Sequence, residues 1–103
     1  MDRRVNGSKL ANDNLIFVGG KPFMNYITAI TTQLKKKTVS EIRISARGKF
    51  ISKAVDVAES VKNKFLKDEK ISLDEIKTGS QEFDTKEGKH ITVSTIDIIL
   101  KRS

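Results

Sequence analysis

Apolar and polar positions along this chain follow two rhythms, and the switches between them mark its elements. Met1 to Asp13 is polar, with Asn6, Gly7, Asn12 and scattered charge, and reads as a flexible N-terminal arm ahead of one domain spanning 14–103. Leu15-Ile16-Phe17-Val18 is a short apolar run ended by Gly19-Gly20, which reads as a buried strand. Pro22 suits the first turn of a helix, where its missing N–H costs nothing. Phe23, Ile27, Ile30 and Leu34 follow at helical spacing and form one stripe, closed by Lys35, Lys36 and Lys37, where cations complement the negative helix end. Ile42, Ile44 and Ala46 then alternate with Arg43, Ser45 and Arg47, as in a half-buried strand. From Phe50 the helical period returns: Ile51, Ala54, Val55, Ala58, Val61 and Phe65 form a second stripe, with Lys53, Asp56, Glu59 and Lys62 on its polar side. Asp68-Glu69-Lys70 breaks it.

The remaining third reads as two strands, each of which changes phase. Ile71 and Leu73 share one face, whereas Ile76 and Thr78 fall in the opposite phase. Ile91, Val93 and Thr95 alternate, and Ile96, Ile98 and Leu100 then take the other phase. Such a switch predicts a bulge or sharp twist in each strand. Asp84-Thr85-Lys86-Glu87-Gly88-Lys89 is a polar turn with Gly88 available for positive φ, and the strand ends beside it are the more polar ones. A long hairpin leaving the body as an arm is expected. The order β-α-β-α-β-β, with each early helix joining two parallel strands, defines a two-layer α/β domain with helices on one face.

Composition narrows the chemistry. At 103 residues, 37% hydrophobic and 32% charged, the chain suits one domain with a modest core and a charged surface. No apolar run reaches membrane-spanning length and no signal-peptide core stands at the start, so no membrane partner is expected. Zero cysteines exclude a disulfide framework, thiolate chemistry and a zinc finger, and fit a reducing compartment. His90 is the single histidine and lacks the partners of a zinc site; Glu82, Asp84 and Glu87 are clustered acids in a mixed-charge setting. No nucleophile–base pair is evident, so neither an enzyme nor a cofactor or metal is expected.

The net charge of +7 is unevenly placed. Residues 14–67 carry eleven Lys or Arg against three acids, whereas 68–103 carry six against eight. The positive field thus belongs to the first two-thirds, where either a polyanion docks or a solvated lysine surface aids solubility. Two segments favour docking. Gly19-Gly20-Lys21-Pro22 and Arg47-Gly48-Lys49 each set glycine and a cation before an amphipathic helix, where backbone N–H groups and the helix dipole suit phosphate. Asn25, in the first helical turn, serves either a ligand or a local polar role. Lys62 and Lys64 are explained either by the helix dipole or as secondary contacts. Tyr26 and Phe83 are the aromatics that could stack on bases, without the aromatic ladder of single-strand binders.

Gly19–Tyr26 and Ser45–Asp56, together with Val61–Leu66, Thr78–Gln81 and Val93–Ile96, resemble in order the signature segments of the Alba family of archaeal chromatin proteins, over about Asn14 to Arg102. The resemblance implies a β-α-β-α-β-β domain like the C-terminal domain of translation initiation factor three. It implies a dimer that coats double-stranded DNA with little sequence preference and also binds RNA, in the cytoplasm on the chromosome. It implies that the loop containing Gly20 and Lys21 faces the duplex near the dimer axis and that Arg47 and Lys49 contact its backbone. The hairpin with Lys86 and Lys89 is expected along the minor groove, and Phe65 where dimers meet. Two departures stand out. The family loop commonly has two adjacent lysines, the first an acetylation target, but here that position is Gly20. The hairpin tip, with Asp84 and Glu87 against Lys86 and Lys89, is neutral. An RNA-directed role, as an RNA-binding protein or ribonucleoprotein subunit, is the alternative, as is a heterodimer with a paralogue.

Overall fold

The computed structural model describes residues 14–102, and the N-terminal arm expected at 1–13 lies outside the described residues. Strand β1 (Leu15–Phe17) leads to helix α1 (Phe23–Leu34), strand β2 (Glu41–Arg47) and, through a single 3-10 turn at Gly48–Phe50, to helix α2 (Ile51–Ser60). Strands β3 (Ile71–Asp84) and β4 (His90–Arg102) complete the chain. The β-α-β-α-β-β order is the expected one. The sheet order is β1-β2-β4-β3, with β1 parallel to β2 and β4 antiparallel to both its neighbours. Strands β2 and β3 therefore run the same way but are not adjacent, because β4 lies between them.

Both helices cover one face of the sheet. Ile42, Ile44 and Ala46 of β2 stand opposite Leu100, Ile98 and Ile96 of β4. All six are buried and join Ile27, Ile30 and Leu34 of α1 in one core. Ser45 has outward parity yet is buried, because its hydroxyl donates to Oδ1 of Asp97 on β4, which satisfies the polar group.

Four expectations need correction. The first strand is an edge strand, not a buried one, because it pairs on one side only: Phe17 is 70% exposed, and burial begins at Val18. In α2 the stripe runs through Ala54, Val57, Ala58 and Val61; Val57 is fully buried while Val55 is 38% exposed. Val55 sits one residue off the 54-58-61 line, so its side chain turns outward. Third, α2 does not end in an ordinary helical turn. Val61–Phe65 forms a π turn, closed by the Leu66 N–H donating to the Val61 carbonyl at 2.9 Å. The extra residue rotates the apolar stripe by one position. Leu66 takes the core place that Phe65 would have had, and Phe65 is left 39% exposed.

The fourth concerns the hairpin. The bulge in β3 is present, as a register shift between Leu73 and Glu75. It brings Ile71 and Leu73, and then Ile76 and Thr78, to the same face despite their opposite phases. Strand β4 has no such shift and is paired without interruption from His90 to Arg102. Its phase change has another cause: Ile96, Ile98 and Leu100 face the helices, whereas Ile91 and Val93 lie beyond the body and face the other way. At roughly 3.3 Å per residue, 14 residues of β3 span about 45 Å, close to the 49 Å long dimension of the molecule. The hairpin sets that dimension.

Candidate nucleic-acid interface

The topology gathers three segments at one end of the sheet. Because β1 and β2 are parallel, Gly19–Lys21 and Arg47–Lys49 both emerge at the carboxyl end of that pair. Arg47 pairs with Thr95, and β4 extends five residues beyond this point toward His90, so the hairpin arm projects past the same end. Between Val18 and Tyr26 and between Ala46 and Val55 there are four cations (Lys21, Arg47, Lys49 and Lys53) and no acid. At the opposite end charges interleave: Lys101 lies 3.7 Å from Glu41 and 3.5 Å from Asp74.

The first loop is held from inside. Tyr26 is buried, and its hydroxyl accepts the N–H of Gly19 at 2.9 Å and of Lys21 at 3.1 Å. Lys53, one turn into α2, donates from Nζ to the carbonyls of Gly19 (2.8 Å) and Lys21 (2.5 Å), and lies over the Tyr26 ring. Two N–H groups expected to meet a phosphate are thus committed to the loop's own scaffold. The loop presents the Lys21 side chain on a braced turn instead. Lys53 reads as a polar-side residue in the sequence; no local pattern signals its contact with a loop 32 to 34 residues earlier. A side chain at Gly20 would meet nothing within 4 Å, so packing does not require glycine there.

At the second segment, Gly48 has φ +59 and a Cβ there would lie 3.4 Å from Val93, so the glycine serves both the turn and the approach of the arm. Arg47 is exposed and turned toward the arm. Its Nη1 donates to Oε1 of Gln81 at 3.1 Å, and its guanidinium lies 5.3 Å from the centre of the Phe83 ring. Lys49 is exposed beside Phe50. Asn25 is exposed in the first turn of α1, at the same end.

Lys62, Lys64 and Phe65 are not brought to this cluster. They lie at the far end of α2, roughly 20 Å of helix away from Lys49. Lys62 pairs with Glu59 at 3.3 Å, and Lys64 lies over the Phe65 ring. Lys86 and Lys89 sit in the arm's turn, where Gly88 adopts the expected positive φ of 83°. Beside them, His90 meets Asp84 at 3.0 Å and Glu82 at 2.6 Å, and the Asp84 bond, seconded by Glu82, holds its pKa above the ordinary 6.5. Among the described residues no group of three or more His, Cys, Asp or Glu could hold a metal ion, and no helix is long and apolar enough to cross a membrane.

This domain, with its braced cationic loop, basic second turn and long arm, has close counterparts. The family model described as Alba matches residues 14–80, and the chain belongs to the Alba family. It is 48% identical over 93 residues to the DNA/RNA-binding protein Alba of Picrophilus torridus, covering 90% of this chain and 100% of that one. It is 45% identical to the DNA/RNA-binding protein Alba of Methanocella arvoryzae, covering 90% of this chain and 94% of that one. Among solved structures, Alba from Thermoplasma volcanium superimposes with a TM-score of 0.77 at 45% identity, covering 86% of this chain and 100% of that one.

Proposed function

We propose that this chain binds nucleic acid through its cationic end, as an architectural protein that coats double-stranded DNA on the chromosome with little sequence preference. The observation that carries this reading is the set of four cations on two acid-free, glycine-bearing segments that emerge together with the arm at one end of the sheet. Relatives sharing nearly half the sequence bear names that state DNA and RNA binding. Lys21, fixed by the Tyr26 and Lys53 brace, and Lys49 act as point charges on phosphate. Arg47 spends one of its N–H groups on Gln81 and keeps others for the backbone. Among the described residues no bidentate base-reading pair is apparent, which fits weak sequence preference.

The working unit is a homodimer. Phe17 and Met24 are large apolar side chains left exposed on either side of the Gly19–Lys21 loop. A shallow cavity of about 550 Å³, lined by Leu15, Phe17 and Ala29, runs between β1 and α1 beside them. A second copy seated there brings two loops together and doubles the cation count facing the duplex.

The test is a titration of equal-length duplex DNA and duplex RNA across a salt series. With roughly four to six cations engaged per dimer, the log–log slope for DNA is expected at about −4 to −5. Lys21→Ala, which removes two cations per dimer, flattens it by about 1.8, and Gly20→Lys steepens it by a similar amount. A salt-independent affinity sinks the proposal. Clearly tighter binding of the RNA duplex would move the reading to an RNA-directed role, which the relatives' names equally support.

A further inference from the structure

The strand alternation sorts the arm's side chains by chemistry. Directly paired residues share a face, so Gly79 with Thr95, Gln81 with Val93 and Phe83 with Ile91 form three successive rows on one side. The opposite side carries Glu82, Asp84 and His90, with the acids turned to the imidazole. The turn at the arm's tip is neutral in sum, but the arm's charged and apolar side chains are divided between its two faces. One face has no acid over these three rows, two exposed apolar groups (Phe83 at 37% and Ile91 at 43%), an amide, and the Arg47 guanidinium laid against the ring. The row nearest the body is low, since Gly79 has no side chain and Thr95 a short one.

We propose that this face is a stacking platform for unpaired nucleobases, giving the protein a single-strand-binding site distinct from its phosphate grip. The inference rests on the nucleic-acid reading above and names a second form of ligand for the same end of the molecule. An aromatic ring braced by a guanidinium presents a π surface to any base, and stacking of this kind tolerates every base type. Base faces inside a duplex are covered by their neighbours, so the platform is of use only where bases are out of the stack. Its charge suits that ligand: Arg47 supplies attraction to the strand, and the acids that would repel it lie on the reverse face. Gln81, held by Arg47, adds a side-chain amide one row in from the ring on the same face, able to hydrogen-bond a base edge. The platform is also continuous with the basic turn at Arg47–Lys49, so a strand leaving the cationic end passes directly over it.

The test compares labelled oligouridylate, oligothymidylate and a duplex of equal length, titrated with wild type, Phe83→Ala and Phe83→Tyr, each checked for an unchanged circular dichroism melt. Phe83→Ala is expected to weaken single-strand binding roughly tenfold while duplex affinity holds within about twofold, the range left when a phosphate grip is untouched. Phe83→Tyr keeps the ring and retains binding. A fluorescent adenine analogue in the single strand is quenched on stacking by wild type and by Phe83→Tyr, but not by Phe83→Ala. The two oligonucleotides show whether RNA or DNA is held the tighter; dependence on Phe83 with either supports the platform. Unchanged affinity of Phe83→Ala for both single strands overturns it. So does an equal loss on duplex and single strands, which would make Phe83 a wedge in the duplex groove. Failure of the duplex reading shows separately, as wild type that does not bind the duplex at all.

Discussion

Tyr26 shows what one atom does here. Its ring is part of the core, but its hydroxyl is the acceptor on which the first loop is built, taking two N–H groups from residues five and seven positions earlier. Tyr26→Phe keeps the packing and strands those donors, so it is expected to cost about 1 to 3 kcal/mol of stability by urea unfolding. It should also weaken duplex binding several-fold, because Lys21 then rides on a looser turn. Unchanged affinity alongside the stability loss would separate folding from presentation and show that the brace does not position Lys21. In the sequence, Lys21 and the glycines were legible as a candidate site because they stand together. Tyr26 was legible only as an aromatic that could pack or stack on a base, and Lys53 only as a polar-side lysine. Their contacts cross from helix to loop, and no local pattern encodes that.

Among the elements, the arm departs furthest from what alternation predicted. Period-two patterning located both strands and the bulge in β3, because a phase shift that keeps apolar residues on one face of the sheet requires an inserted residue. The same signal in β4 had a different origin: its outer half belongs to a free ribbon whose apolar face is the reverse of the body's. At the ribbon's tip His90 links the two strands through Asp84 and Glu82. Because these bonds raise its folded pKa above 6.5, their contribution is fully present below pH 6.5 and is lost as pH rises through the elevated midpoint. An NMR titration of the imidazole should therefore give a midpoint above 6.5, lowered more by Asp84→Asn than by Glu82→Gln. A wild-type midpoint at or below 6.5 would mean the tip does not hold these contacts. Helix α2 carries the parallel lesson: its π turn exchanges Phe65 for Leu66 in the core, a one-residue rotation that helical spacing alone does not foretell.

The whole molecule has two unlike ends, one with both glycine-bearing turns and their four cations where the arm begins, the other bearing interleaved ion pairs and the far end of α2. Phe65 lies toward the second, with Lys64 against its ring. Phe65→Ala should accordingly leave the affinity of an isolated dimer for a short duplex within about twofold, yet flatten the cooperative coating of long DNA. Mass photometry or gel shifts on long DNA measure this, and coating as cooperative as in wild type removes Phe65 from any contact between dimers. By itself the sequence determined the order of elements, the helix-facing core of β2 and α1, the turns that need glycine, and the candidate cations. Each follows from local periodicity or backbone sterics within a few residues. Only the tertiary structure decided which strand lies at the edge, that Lys53 and Tyr26 brace the first loop, and that Arg47 turns to the arm. It also decided that the arm's acids and aromatic ring face opposite ways. The physical reason is that burial, pairing partners and charge neighbours are properties of residues far apart in the chain, which exist only once β4 lies between β2 and β3.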